Sequence, residues 1–169
     1  MDDLVTGATT EVELTVDLPP EQLWDLVSDV TRIGEWSPEC VGAHWTRREG
    51  DRPRAGDRFR ARNEYRDGFV ATVECVVTEA DRPSVFAWVV LDDDGVVDRP
   101  GSLWRYGLRP AGGGTTVTHT FVHGPGLTGL RVGSERSPGR ADDVVTGRLA
   151  ELRRNMAATL RAMTCAAGG

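Results

Sequence analysis

The chain has 169 residues, with 26 acidic and 20 basic side chains, a formal net charge of −6 and a pI near 5.1. A chain of this length can bury a core without disulfides or a structural metal, and its acidity argues against a nucleic-acid footprint or adhesion to an anionic membrane. All 20 basic residues are arginine and Ile33 is the single isoleucine, a coding bias with no mechanistic content. The three cysteines, Cys40, Cys75 and Cys165, make neither a CxxC pair nor an even set, so a disulfide framework or zinc cluster is not expected.

The amino-terminal stretch is acidic, with no basic region and no apolar signal core, and no run is long enough to span a bilayer; a cytoplasmic protein is expected. Residues 11–16 alternate polar and apolar side chains, as in a half-buried strand. Pro19 and Pro20 then suit a helix entrance, with Asp17 able to supply a capping oxygen. Leu23, Val27 and Val30 share one apolar face, with Trp24 beside it. Ser37 precedes Pro38 and is pushed out of the helical region, so the chain turns there, carrying Trp36. The order of capped helix, aromatic turn and strand predicts a lid over a cavity.

Six further strands are predicted at about 41–47, 57–66, 69–79, 84–91, 102–109 and 115–123, an antiparallel meander broken by glycine, proline and acidic turns. In the second of these, Phe59, Ala61, Asn63 and Tyr65 share one face, while Arg58, Arg60, Arg62, Glu64 and Arg66 form the wet one. Residues 124–139 are rich in glycine and proline and read as a long irregular loop with the character of a lid. From 141 to 163, Val145, Leu149, Leu152, Met156, Leu160 and Met163 recur at steps of four and three, predicting a long helix on the sheet. The terminal Ala-Ala-Gly-Gly is expected to fray.

A curved seven-stranded antiparallel sheet closed by one long helix, with two short helices after the first strand, is an α+β architecture that leaves a volume between sheet and helix. That volume is the expected binding site. His119 and His123 share a strand face with Val117 and Phe121, so both are placed toward it as groups that titrate near neutral pH. Strand residues four apart are roughly 13 Å apart, too far to share a metal ion. Asn63 and Tyr65 are polar groups on an apolar face, able to fix or polarise a ligand carbonyl or to satisfy one another. Trp88, Trp104 and Tyr106 are expected as aromatic walls, with Met156 facing them from the helix. Glu39 reads as a solvated turn carboxylate and His44 as outward-facing. Gly124, Gly126 and Gly129 spell GxGxxG, but without a parallel βαβ unit or a helix directly after the glycines a dinucleotide site is not expected.

Four segments together resemble the SRPBCC superfamily, the START-like helix-grip proteins, in its polyketide cyclase/dehydrase-like branch. They are LWDLVSDVTRIGEWSPEC at 23–40, SLWRYGLRP at 102–110, GGTTVTH at 113–119 and GRLAELRRNMAATL at 147–160. The resemblance covers nearly the whole chain, as a single domain over 1–169 with an ordered core at about 8–164. It implies a cavity for a small hydrophobic polyketide-, aromatic- or lipid-like molecule, with neither metal nor organic cofactor. It fixes no reaction, because the superfamily holds carriers and receptors as well as cyclases. Two functions follow as expectations. One is cofactor-independent cyclisation or dehydration, with His119 or Tyr65 moving the proton and Trp36, Asn63, Trp88, Trp104, Tyr106, Phe121, His123 and Met156 around the ligand. The other is a non-catalytic carrier or sensor of an apolar metabolite, monomeric or homodimeric.

Overall fold

The structure is a computed structural model that describes residues 3–168. Strand β1 (Thr9–Val16) is followed by helix α1 (Pro20–Ser28) and a 3-10 turn (Val30–Glu35). Six strands come next: β2 (Cys40–Arg47), β3 (Arg58–Glu64), β4 (Val70–Asp81), β5 (Val85–Val90), β6 (Ser102–Ala111) and β7 (Gly114–His123). Helix α2 (Gly129–Arg136) and a short 3-10 turn lead into α3 (Ala141–Ala167). The strands form one sheet in the order β1-β7-β6-β5-β4-β3-β2, antiparallel throughout. This is the predicted α+β helix-grip architecture.

Alternation of side chains explains the register. On β3, Phe59 and Ala61 are buried and Asn63 half-buried, whereas Arg60, Arg62 and Glu64 face water. Register shifts in β2 at Cys40/Gly42 and Trp45/Arg47, and in β4 at Val77/Glu79, insert extra residues that bend those strands, curving the sheet toward the helix. Against its concave face α3 buries Leu152, Met156, Leu160 and Met163, close to the predicted stripe, while Val145 is buried outside this core cluster. Leu149 is only half-buried, and Thr159 takes a buried position that the apolar spacing had not marked.

Helix α1 caps one end of this groove. Leu23, Trp24 and Val27 are buried as expected, and the Trp24 indole donates to the Val85 carbonyl at 2.7 Å, tying the helix to β5. Its start differs from expectation: Pro19 is the cap residue and Asp17 makes no capping bond. Two proline residues set the entrance geometry by themselves, and Thr115 on β7 fixes the approach by donating to the Leu18 carbonyl at 2.6 Å. Gly34 lets the 3-10 turn lie directly on β2, since a Cβ there would collide with the Val41 carbonyl.

The segment at 124–139 is not an irregular loop throughout. Thr128 accepts a hydrogen bond from the Arg131 amide and starts α2, which packs on α3. A side-chain cap and a docking surface outweigh the low helix propensity of Gly129 and Gly133, which local composition alone could not anticipate. At the other end α3 continues through Ala167, so Ala166 and Ala167 are helical rather than frayed; Gly169 lies outside the described residues. Among the described residues no helix is long and apolar enough to cross a membrane.

Candidate functional site

A cavity of about 140 Å³ lies between the concave face of the sheet, α3 and the 3-10 turn. Its lining follows from strand pairing. Cross-strand partners Trp88 and Trp104 on β5 and β6 lie side by side with their rings 6.0 Å apart and parallel to within 2°. One step along, Tyr106 pairs with His119 on β7, and the two rings stack at 3.8 Å. Phe59, Ala61 and Cys75 continue the wall across β3 and β4, and Leu152, Met156 and Met163 descend from α3. Leu26, Val30, Ile33 and Trp36 close the near end. The aromatic and aliphatic lining suits a flat apolar guest.

Of the residues predicted for the site, Trp36, Asn63, Trp88, Trp104, Tyr106, His119 and Met156 line this cavity. Three others are brought elsewhere. Phe121 is buried but turned to Trp104, with ring centroids 4.9 Å apart, and stands outside the lining. His123 is fastened at both nitrogens, to the Gly124 carbonyl at 2.7 Å and the Thr128 hydroxyl at 2.6 Å, so it braces the start of α2. Tyr65 falls just beyond the end of β3, where its ring lies beside Phe69 and under the Arg148 guanidinium at 5.4 Å; it belongs to the mouth of the groove. Being on the right face of a strand did not place these side chains at the right height along it.

Glu39 was read as a solvated turn carboxylate, and the structure corrects this. Arg148 on α3 donates to both of its oxygens at 2.6 and 2.8 Å and also to Glu151 at 2.8 Å, while Asn155 donates to Glu39 at 3.3 Å. The Glu39 and Arg148 side chains are only 17% and 21% exposed. Burial disfavours the charge on Arg148, but hydrogen bonds and Coulomb attraction from Glu39 and Glu151 outweigh it and hold the guanidinium protonated. Sequence reasoning missed Arg148 and Asn155. The signal was present: Arg148, Asn155 and Thr159, at steps of seven and four, follow one line of α3 beside the apolar stripe. His44 is exposed, as expected.

The polar groups on the wall are mostly occupied. Asp29 accepts from Thr31, Ser37 from the Glu39 and Cys40 amides, Trp104 donates to Ser102, and the Thr159 hydroxyl donates to the Asn155 carbonyl. His119 is different. The residue is 4% exposed, and neither ring nitrogen has a partner. Burial lowers its pKa to about 3, so the ring is neutral near pH 7, with one donor and one acceptor unmet. Burial likewise raises the pKa values of the Tyr106 phenol and of the Cys40 and Cys75 thiols, keeping them neutral. Among the described residues no cluster of three His, Cys, Asp or Glu side chains is arranged to hold a metal ion.

Comparison with known proteins gives a consistent picture. The family described as polyketide cyclase / dehydrase and lipid transport matches residues 7–163. The chain is similar to the polyketide cyclase-like protein Cgl2372 from Corynebacterium glutamicum, at 26% identity and a TM-score of 0.64, covering 94% of this chain and 90% of that one. The fold is shared with StfQ, a di-domain ARO/CYC protein of the steffimycin pathway, at 14% identity and a TM-score of 0.72; the match covers 95% of this chain and 50% of StfQ. BexL, the di-domain ARO/CYC protein of the BE-7585A pathway, gives 17% identity and a TM-score of 0.66, covering 92% of this chain and 48% of that one. No curated protein matches the sequence.

Proposed function

This chain belongs to the polyketide cyclase / dehydrase and lipid transport family, and from that premise we propose that it binds a small hydrophobic ligand in the cavity between sheet and α3, holding it by shape and aromatic contact. The observation that carries this reading is the void itself, about 140 Å³ among apolar and aromatic side chains. Trp36, Trp88, Trp104, Tyr106 and Met156 supply the walls, and Asn63 and His119 the polar contacts that orient the guest. A neutral imidazole with a pKa of about 3 is a poor proton shuttle near pH 7, and Tyr65 lies off the cavity. Orientation therefore takes precedence over general acid-base chemistry in this reading.

The test is titration of the protein with small aromatic probes, followed by quenching of its tryptophan fluorescence, with native mass spectrometry for any molecule that co-purifies. Saturable quenching that Ala61→Leu abolishes supports the cavity as the site; no saturable binding by any apolar probe overturns the reading. Ligand recovered unchanged marks carriage or sensing. Conversion by the wild type that is lost in His119→Phe marks a cyclase or dehydratase.

A further inference from the structure

We infer that the guest is a compact, uncharged molecule of about one aromatic ring, carrying a hydroxyl or carbonyl that pairs with His119, and not an extended polyketide chain. The inference rests on the reading above and narrows it to a chemical class.

Three observations carry it. The first is size: a cavity of about 150 Å³ holds a benzene ring, whereas drug-sized ligands occupy about 300–1,000 Å³, and the void here is about 140 Å³. The second is charge. Arg148, the cation beside the cavity-lining Glu39 and Asn155, is engaged by Glu39 and Glu151, so it is not free to meet a ligand carboxylate. The third is the hydrogen-bond inventory. Asp29, Ser37, Glu39, Trp104 and Thr159 are satisfied within the protein, whereas both nitrogens of His119 are buried without a partner. An unmet buried polar group is destabilising, and a ligand that meets it recovers part of that cost. The imidazole stacks on Tyr106 and belongs to the cavity lining, so a guest seated in the cavity lies beside it. Because the ring is neutral it can donate or accept, so a phenolic hydroxyl and an aryl carbonyl are equally suited to it.

Phenol and toluene differ by a hydroxyl in place of a methyl group, and their affinities measured by tryptophan quenching isolate the polar contact. The ratio of phenol to toluene affinity is expected to fall roughly five- to tenfold in His119→Phe, with toluene binding retained. Benzoate and a tricyclic anthraquinone are expected not to bind. An unchanged ratio in His119→Phe, or anthraquinone or benzoate binding as tightly as phenol, overturns the inference while leaving the cavity reading intact. If no probe binds, both fail. Should His119→Phe not fold, ¹⁵N-histidine spectra of the wild type decide the matter: the ring nitrogens of His119 shift with phenol but not with toluene if the contact exists, and respond identically to both if it does not.

Discussion

Arg148 on α3 grips both carboxylate oxygens of Glu39, 109 positions earlier in the chain, at 2.6 and 2.8 Å. This fork joins the C-terminal helix to the turn that follows the 3-10 segment, so the two walls of the cavity mouth are held by one charge-assisted, bidentate contact. Asn155 reaches the same carboxylate and the Tyr65 ring lies beneath the guanidinium.

Removing Arg148 leaves the largely buried Glu39 carboxylate with only Asn155, and neutralising Glu39 leaves Arg148 with Glu151 as its remaining carboxylate. Arg148→Met and Glu39→Gln are each expected to destabilise the fold by about 2 kcal/mol, with a coupling of about 1–2 kcal/mol in the double variant. Arg148→Lys should recover only part, because an ammonium cannot form the fork. Urea unfolding of the four proteins in the cycle checks this.

His119 sets a pH dependence whose sign follows from its burial. Its pKa is about 3 in the folded protein and near 6.5 when unfolded, so between these values the unfolded state binds more protons. Its contribution is fully present above pH 6.5 and is lost as pH falls toward about 3, with a slope of at most about 1.4 kcal/mol per pH unit. The acid limb of a stability profile should therefore be shallower in His119→Phe than in the wild type. Burial also lowers the pKa of His123, against the opposing Gly124 carbonyl bond, and supplies a second contribution of the same sign.

Two of the three GxGxxG glycines, Gly124 and Gly126, have a packing role, whereas a Cβ on Gly129 would meet nothing within 4 Å. Gly124 and Gly126 donate their amides to the Gly101 and Pro100 carbonyls, each at 2.9 Å, and a Cβ on Gly124 would strike the Pro100 carbonyl oxygen. Gly124→Ala is expected to cost about 2 kcal/mol or more through backbone displacement. A lowered melting temperature with unaltered affinity for a dinucleotide-free aromatic probe would show that the motif serves the fold.

Filling the void separates binding from stability. Ala61 is 7% exposed and lines the cavity, so Ala61→Leu should abolish probe binding while leaving the melting temperature unchanged or higher, since filling a void commonly contributes about 0.5–2 kcal/mol. Differential scanning fluorimetry with and without toluene checks both halves: the wild type gains stability with the probe and the variant does not.

Much of this molecule was legible in the sequence because its elements obey local periodicities. The two-residue alternation of β3 gave its buried face, the steps of four and three on α3 gave the stripe that meets the sheet, and Pro19 with Pro20 marked the entrance of α1. Parity on a strand names a face and nothing more. His119 and His123 share that face, yet one stands unpartnered at the cavity wall and the other is bolted to Gly124 and Thr128. The difference is height along β7 relative to α3, which only the packing of the helix decides. For the same reason Glu39 looked like a surface carboxylate until the fold brought Arg148 across 109 positions to meet it. Helix α2 escaped notice because its stability comes from a cap and a docking surface rather than from its composition. The sequence alone determined the sheet, the gripping helix and the presence of an interior between them. The tertiary structure decided how much of that interior stays empty and which polar groups face it, because both depend on contacts between residues far apart in the chain.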